Sequence, residues 1–400
     1  MCKEKPIVYL VGIGMGSEKT LTEEAKQVIE NCDCLIGARR ILQGLTQFDK
    51  PSFCSYLPKD IHQYLKEHKE YQMPVLALSG DTGFYSGAEK AIKELREYDV
   101  RVIPGISVVS YFAAKLNTSW EDARLMSVHG REQNYIHAIM HYSKTFLLLG
   151  GRKIGEEICQ KLSYYDIRDV RIVIGKNLSY DNEEIIERNG ESIHPDDFEG
   201  LCAAMIENPY PNKSMRCHIR DDEFVTGEVP MTKEEVRAAC IGKLALNQDA
   251  VLYDVGAGTG SIAIEAALQG ADIKVYAIEK NKKAVSLIYQ NIKRFCTDNV
   301  TVIEGEAPTA LEALKPPTHV FIGGSTGNLP AIIRIAKQKY KDVRIVITAI
   351  SLETIREIME LAAEGILEEP KITQIVVSRA KKIGEYHLMT GLNPVYIISQ

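Results

Sequence analysis

The stretch Asp254–Gly260, reading D-V-G-A-G-T-G, constrains this chain more than any other feature. It follows the apolar run Val251–Tyr253 and precedes a helix-like stretch, Ser261–Gln269. Glycines at that place permit a sharp turn, and they let backbone amides and a helix N-terminus approach a ligand closely. A second strand-like run, Lys274–Ile278, ends in Glu279, an acid about 20 positions beyond the glycines. A carboxylate at a strand end can accept the hydroxyls of a ribose. The glycines alone would equally suit a tight structural turn. Strand, turn, helix, strand and acid in that order favour a nucleoside cofactor at the carboxyl edge of a parallel sheet.

Short β-rich runs alternate with helical patterns elsewhere too. Ile7–Val11, Val75–Leu78, Val100–Ile103, Arg124–Val128, Thr145–Leu149 and Val170–Ile174 each meet a glycine or proline soon after they end. This pattern predicts α/β layers. Ligands collect at the carboxyl ends of parallel strands, so the glycine clusters at 12–16, 79–84, 104–107, 129–131 and 150–152 mark a second candidate site. Glu207–Lys213 carries two prolines and two asparagines and interrupts the alternation, so a domain boundary is expected there. We place the N-terminal domain at 1–207, a linker at 208–218 and the C-terminal domain at 219–400. Thr232-Lys-Glu-Glu235 has the form of a capping box ahead of an apolar-periodic helix, Val236–Leu246.

Four hundred residues with 45% hydrophobic content can fill more than one core. No apolar stretch approaches the roughly 20 residues that span a bilayer, and the first residues lead straight into a strand. A cytoplasmic chain without membrane attachment is expected. Nine cysteines without framework spacing read as reduced thiols, and Cys32-x-Cys34 lacks the neighbours of a metal site, so no metal is expected. A net charge of −6 argues against general nucleic-acid binding. A homo-oligomer is expected.

Beyond the glycine loop, Glu304-Gly-Glu-Ala-Pro308 follows the strand-like Val300–Ile303, and Gly323-Gly324-Ser325 follows His319–Ile322. With D-V-G-A-G-T-G these residues resemble the Rossmann-like S-adenosylmethionine-dependent methyltransferases. The opening Glu223–Arg237 and the ending Gly391–Val395 are more specific, and Ile219–Gln400 resembles the C15-methylating, decarboxylating enzymes of corrin (cobalamin) biosynthesis. The resemblance implies that Gly256, Ala257, Gly258, Thr259 and Gly260 face the methionine end of the cofactor. It implies that Glu279 takes the ribose, that Gly305, Glu306 and Ala307 lie against the adenosine, and that Thr232 approaches from the entry segment. Glu265, within the following helix, is expected at the core edge or in solvent. Methylases of exocyclic base nitrogens often carry an Asn/Asp-Pro-Pro-aromatic signature after the fourth strand, where this chain has Ile322-Gly-Gly-Ser.

In the N-terminal half, Tyr9–Gly16, Ser79–Tyr85, Val102–Ser107 and Ser127–Arg131 resemble the tetrapyrrole methylase family over about Pro6–Met205, nearest to its C5-methylating members of the same route. The resemblance implies two α/β subdomains, a second S-adenosylmethionine site, and a tetrapyrrole near the first glycine loop, with Gly12 and Gly14 as substrate candidates. Gly80, Asp81, Phe84 and Ser107 are the cofactor candidates, with Leu148–Gly150 as a further wall. Thr82 stands where relatives commonly carry proline. Arg39, Arg40 and Arg131 could clamp substrate carboxylates with planar guanidinium groups, although exposed arginines are common. His129 could steer a proton, or be merely structural; with Arg131 it is the catalytic candidate. The expected activity is S-adenosylmethionine-dependent methylation of a precorrin, with or without cobalt, at C5 and C15 with loss of the ring C acetate carboxyl. The alternatives are an RNA methyltransferase, a dinucleotide dehydrogenase, and an N-terminal half that only binds the tetrapyrrole.

Overall fold

The computed structural model describes residues 5–128, 133–214, 218–325 and 327–400. The chain forms two compact units, one drawn from the chain up to Tyr210 and one from Pro211 onward, the second also including Gln133–His141 and Tyr164–Asp166. No helix among the described residues is long and apolar enough to cross a membrane.

The first unit opens with a parallel sheet of β1 (Ile7–Gly12), β2 (Cys34–Gly37), β3 (Ser52–Cys54), β4 (Pro74–Leu78) and β5 (Asp99–Ile103), in the order β3-β2-β4-β1-β5. Val8 and Leu10 of β1 enter one core with Ile36, Ile61 and Leu95, while Tyr9 and Val11 enter the other with Ile29 and Ile41. Burial on both faces explains why these strands read as unbroken apolar runs and not as alternations. Chain connections leave β1 and β4 in opposite directions, so the crevice between their carboxyl ends is a topological switch point.

A second sheet follows, built of β6 (Arg124–Ser127), β7 (Lys144–Leu148), β8 (Arg171–Lys176), β9 (Glu184–Asn189) and β10 (Cys202–Glu207), in the order β6-β7-β10-β8-β9. Only β6 and β7 are parallel; β10 inserts antiparallel between β7 and β8. The two-subdomain α/β expectation holds, with antiparallel pairing in the second subdomain.

The second unit is a seven-stranded sheet of β11 (Val251–Val255), β12 (Lys274–Glu279), β13 (Val300–Glu304), β14 (His319–Ile322), β15 (Arg344–Ala349), β16 (Lys371–Ile375) and β19 (Val395–Ser399), ordered β13-β12-β11-β14-β15-β19-β16. It is parallel from β13 to β15, and β19 runs antiparallel to both of its neighbours. The hairpin β17 (Ser378–Ile383) and β18 (Tyr386–Gly391) stands apart as a two-stranded ribbon. Apart from Ser261 and Glu265 the helix Ser261–Leu268 is apolar, and all its residues but Leu268 are buried, as in a helix enclosed in a core.

The expected capping box does not form. The helix spans Glu234–Leu244, its N-cap is Lys233 without a side-chain cap bond, and Ala245 at φ 48° ends it. Thr232 lies one residue before the N-cap, with its carbonyl taking the Arg237 Nη1 donor, and the Glu235 carboxylate is taken by Arg379, which donates to it twice, at 2.9 and 2.6 Å.

Candidate active sites

In the second unit β11 and β14 lie side by side at the switch point, and their following loops meet. A Cβ on Gly256 would come within 2.8 to 3.0 Å of the Gly324 backbone, and one on Gly258 within 2.8 Å of the Pro230 carbonyl. Gly256, Gly258 and Gly260 all have φ between +57° and +77°, which L side chains rarely adopt. The glycines are therefore demanded first by the approach of neighbouring backbone, and that approach shapes one wall of a cavity of about 600 Å³. This volume lies within the range of small-ligand sites.

Glu279 lies across that wall. Its Oε2 accepts the Gly258 N–H at 2.9 Å and its Oε1 accepts the Asn281 N–H at 2.8 Å. Both oxygens are oriented by backbone, and each keeps a lone pair for a further donor. Gly256, Ala257, Gly258, Glu279, Gly305, Glu306, Ala307 and Thr232 all line the cavity. Thr259 and Gly260 do not: Thr259 is buried with its carbonyl held by Asn291 Nδ2, and Gly260 packs on Ile288. Glu306 is paired with Lys280 at 2.8 Å.

Beneath the loop, Asp254 is fully buried and its Oδ2 accepts the Ala263 N–H at 3.0 Å, joining β11 to the first turn of the next helix. Burial, reinforced by the nearby Glu279 charge, pushes its carboxyl up to about 7.

Glu265 is not at the core edge or in solvent as expected. It is buried, and Arg237 Nε reaches it at 2.7 Å. Arg237, also fully buried, donates to Asp221 at 3.2 Å and to the Ile219 and Thr232 carbonyls, and lies over the Phe224 ring at 4.7 Å. The Ile219 N–H returns to Glu265 at 2.8 Å. This hub fixes the entry segment whose residues Val229–Lys233 wall the cavity. Arg379 of β17 joins it through Asp221 at 3.1 Å. The signal was present in the sequence at one of the two: Glu265 stands in the largely apolar run Ser261–Leu268 and calls for a cation, because a carboxylate cannot be buried alone, whereas the helix of Arg237 also carries Glu234, Glu235 and Lys243. Thr348 and Ile350, at the end of β15, line the cavity without any motif to mark them.

In the first unit the loops after β1, β4 and β5 converge. Gly14 and Gly80 exchange hydrogen bonds, the Gly80 N–H donating at 2.6 Å and the Gly14 N–H at 3.2 Å. Gly12 and Gly105 touch closely enough that a Cβ on Gly105 would fall 2.6 Å from the Gly12 carbonyl oxygen. Asp81 ties the crossing together, accepting the Gly83 N–H at 2.8 Å and the Gly105 N–H at 3.1 Å. Thr82, in place of proline, offers its carbonyl to Ser86 Oγ. Phe84 packs edge-on against Phe146, with Leu148 at the rim of the same cluster. Ser107 caps the helix Val108–Lys115, accepting the Ser110 N–H. Arg40 donates to the Tyr180 hydroxyl at 2.8 Å and to Ser79 Oγ at 3.3 Å, and Arg39 is exposed. His129 and Arg131 lie outside the described residues.

Two family models match these two halves: tetrapyrrole (corrin/porphyrin) methylases over residues 7–193, and a precorrin methyltransferase domain over residues 223–400. A protein of Pyrobaculum calidifontis, named probable cobalt-precorrin-6B C(15)-methyltransferase (decarboxylating), is 41% identical over 184 residues, covering 45% of this chain and 94% of its own. The precorrin-6Y C(5,15)-methyltransferase [decarboxylating] of a Sinorhizobium species is 26% identical across 99% of this chain and 95% of its own. Among solved structures, the precorrin-6Y C5,15-methyltransferase of Geobacter metallireducens is 38% identical over 45% of this chain and 96% of that one, with a TM-score of 0.43. The chain belongs to the precorrin methyltransferases, with a tetrapyrrole methylase half and a precorrin methyltransferase half in one polypeptide.

Proposed function

We propose that the chain methylates a precorrin at C5 and C15 and removes one carboxyl group from it, as a step in corrin ring synthesis. Residues 1–207 act at C5, and residues 219–400 act at C15 and in decarboxylation, joined by 208–218. The observation that carries the C-terminal assignment is the Glu279 carboxylate, held by the N–H groups of Gly258 and Asn281 on the wall of the cavity. The full-length relationship to a two-site relative supports pairing it with the N-terminal half.

Methyltransferases of the precorrin family draw on S-adenosylmethionine. When bound it supplies an electrophilic methyl group on a sulfonium. The cavity fits its nucleoside: Glu279 has lone pairs for two ribose hydroxyls, and Gly305–Ala307 form a wall of backbone and a small side chain where the adenosine would lie. We assign a second such site to the loops around Asp81, with Gly80, Phe84 and Ser107 nearby, the tetrapyrrole beside Gly12 and Gly14, and Arg39 and Arg40 toward its carboxylates.

Transfer to carbon needs no strong base, so the chain contributes alignment and the exclusion of water. Val229, Met231 and Ile278 line the cavity with apolar surface, and Arg237 holds the entry segment that presents Val229 and Met231. In decarboxylation the carbon–carboxyl bond breaks, its electron pair passes into the conjugated ring, and a proton restores the methyl group.

The test uses the full chain with cobalt-precorrin-6B and S-adenosylmethionine, read by mass spectrometry. The expected product gains two methyl groups and loses one carboxyl. Glu279→Ala should weaken donor binding at the C-terminal site by about 10- to 100-fold, consistent with loss of charge-assisted hydrogen bonds, and suppress C15 methylation alone. Asp81→Ala should suppress C5 methylation alone. C15 methylation and decarboxylation with no C5 product from the unsubstituted chain would instead make the N-terminal half a tetrapyrrole-binding module.

A further inference from the structure

The cavity of the second unit contains two lysines of opposite electrostatic standing. Lys280 is neutralised by Glu306 at 2.8 Å. Lys233 lines the same cavity and is exposed, and its ammonium meets no carboxylate or other hydrogen-bonding partner among the described residues. Arg379, the neighbouring cation, is committed to Asp221 and Glu235. Lys233 therefore brings an uncompensated positive charge to the mouth of the site.

Its position makes that charge harder to explain as local structure. Lys233 is the N-cap of the helix Glu234–Leu244 and makes no side-chain cap bond. N-caps favour Ser, Thr, Asp or Asn, and a cation there opposes the helix dipole. A residue that breaks a local rule without a structural return marks a functional position. Across the cavity, Ile350 is 72% exposed although it lines the site, and Leu392 and Val377 line it too. The mouth thus pairs apolar surface with one free ammonium. That combination suits a flat conjugated ring carrying carboxylate arms.

Building on the proposed C15 methylation, we infer that Lys233 is a substrate-binding residue that takes one peripheral carboxylate of the tetrapyrrole, setting the ring's orientation over the cavity while Ile350 meets its face. The carboxylate held is one that the product retains. An ammonium stabilises a carboxylate against losing its charge into the ring, so the departing group must be bound elsewhere.

The test compares the full chain with its Lys233→Met and Lys233→Arg variants, using cobalt-precorrin-6B and S-adenosylmethionine. Lys233→Met should raise the tetrapyrrole KM for C15 methylation about tenfold, the equivalent of one charge-assisted hydrogen bond. The affinity for S-adenosylmethionine should stay unchanged and the thermal midpoint should not fall, since the lost cation opposed the helix dipole, and Lys233→Arg should restore most of the KM loss. KM should also rise with salt in the unsubstituted chain and less steeply in Lys233→Met. An unchanged tetrapyrrole KM in Lys233→Met, or a loss confined to donor affinity, overturns the inference. Failure of the unsubstituted chain to bind S-adenosylmethionine at all would remove the methyltransferase reading and this inference with it.

Discussion

Arg237→Met should be the most damaging single substitution in the second unit. The guanidinium is 0% exposed and its partner Glu265 only 2% exposed, so the change leaves a buried carboxylate with the Ile219 N–H as its remaining donor among the described residues. The Ile219 and Thr232 carbonyls lose a donor as well. Removing one member of a buried pair typically costs about 3–5 kcal/mol, a large part of a domain's total stability of about 5–15 kcal/mol. At roughly 2–4 °C per kcal/mol for a unit of this size, the thermal midpoint should fall by about 6–20 °C. Trp120, the sole tryptophan, belongs to the first unit, so its fluorescence is the wrong probe. Hydrogen exchange read by mass spectrometry on peptides from 219–268 reports the unit directly. The double variant Arg237→Met with Glu265→Met removes both charges at similar volume and should recover about half of the loss or more. A cost below about 1 kcal/mol for the single variant, or a double variant no better than the single, would refute the buried-pair account.

Two further outcomes follow from the geometry. Asp254, raised from 3.8 to about 7, holds a proton when folded that it releases when unfolded, so its contribution is full below about 4 and is lost as pH rises through 7. Asp254→Asn keeps an acceptor for the Ala263 N–H and cannot ionise; its thermal midpoint relative to the unsubstituted chain should be higher at pH 8 than at pH 5, and parallel curves would contradict this. Gly105→Ala would place a Cβ 2.3 Å from the Gly80 carbonyl oxygen and 2.6 Å from that of Gly12, forcing the crossed loops apart. Overpacking of this kind costs about 1–3 kcal/mol, and C5 methylation should fall while C15 methylation continues; equal rates of both would count against a site at that crossing.

Much of the architecture was legible because local patterns and tertiary needs coincide. Val251–Tyr253, the glycine turn and the acid at Glu279 appear as β11, its loop and the end of β12, since each rests on short-range requirements of turn and strand. The antiparallel insertion of β10 between β7 and β8 was not legible, because strand periodicity carries no information about pairing partner or direction. Thr232 and Glu235 show the same limit at close range. Their spacing is that of a capping box, but the helix takes Lys233 as its N-cap, and the Glu235 carboxylate is claimed by Arg379, more than a hundred residues away in sequence.

The amino-acid order alone determined that there would be two α/β halves with glycine loops at strand ends and an acid at the end of the strand after the D-V-G-A-G-T-G turn, because those features are written in windows of a few tens of residues. Folding in three dimensions decided what each glycine meets, that Glu265 and Arg237 are buried together, that Thr259 turns away from the cavity, and that Lys233 stands uncompensated at its mouth. Burial and charge compensation depend on which distant segments come to lie against a side chain, and the order of residues does not state that directly.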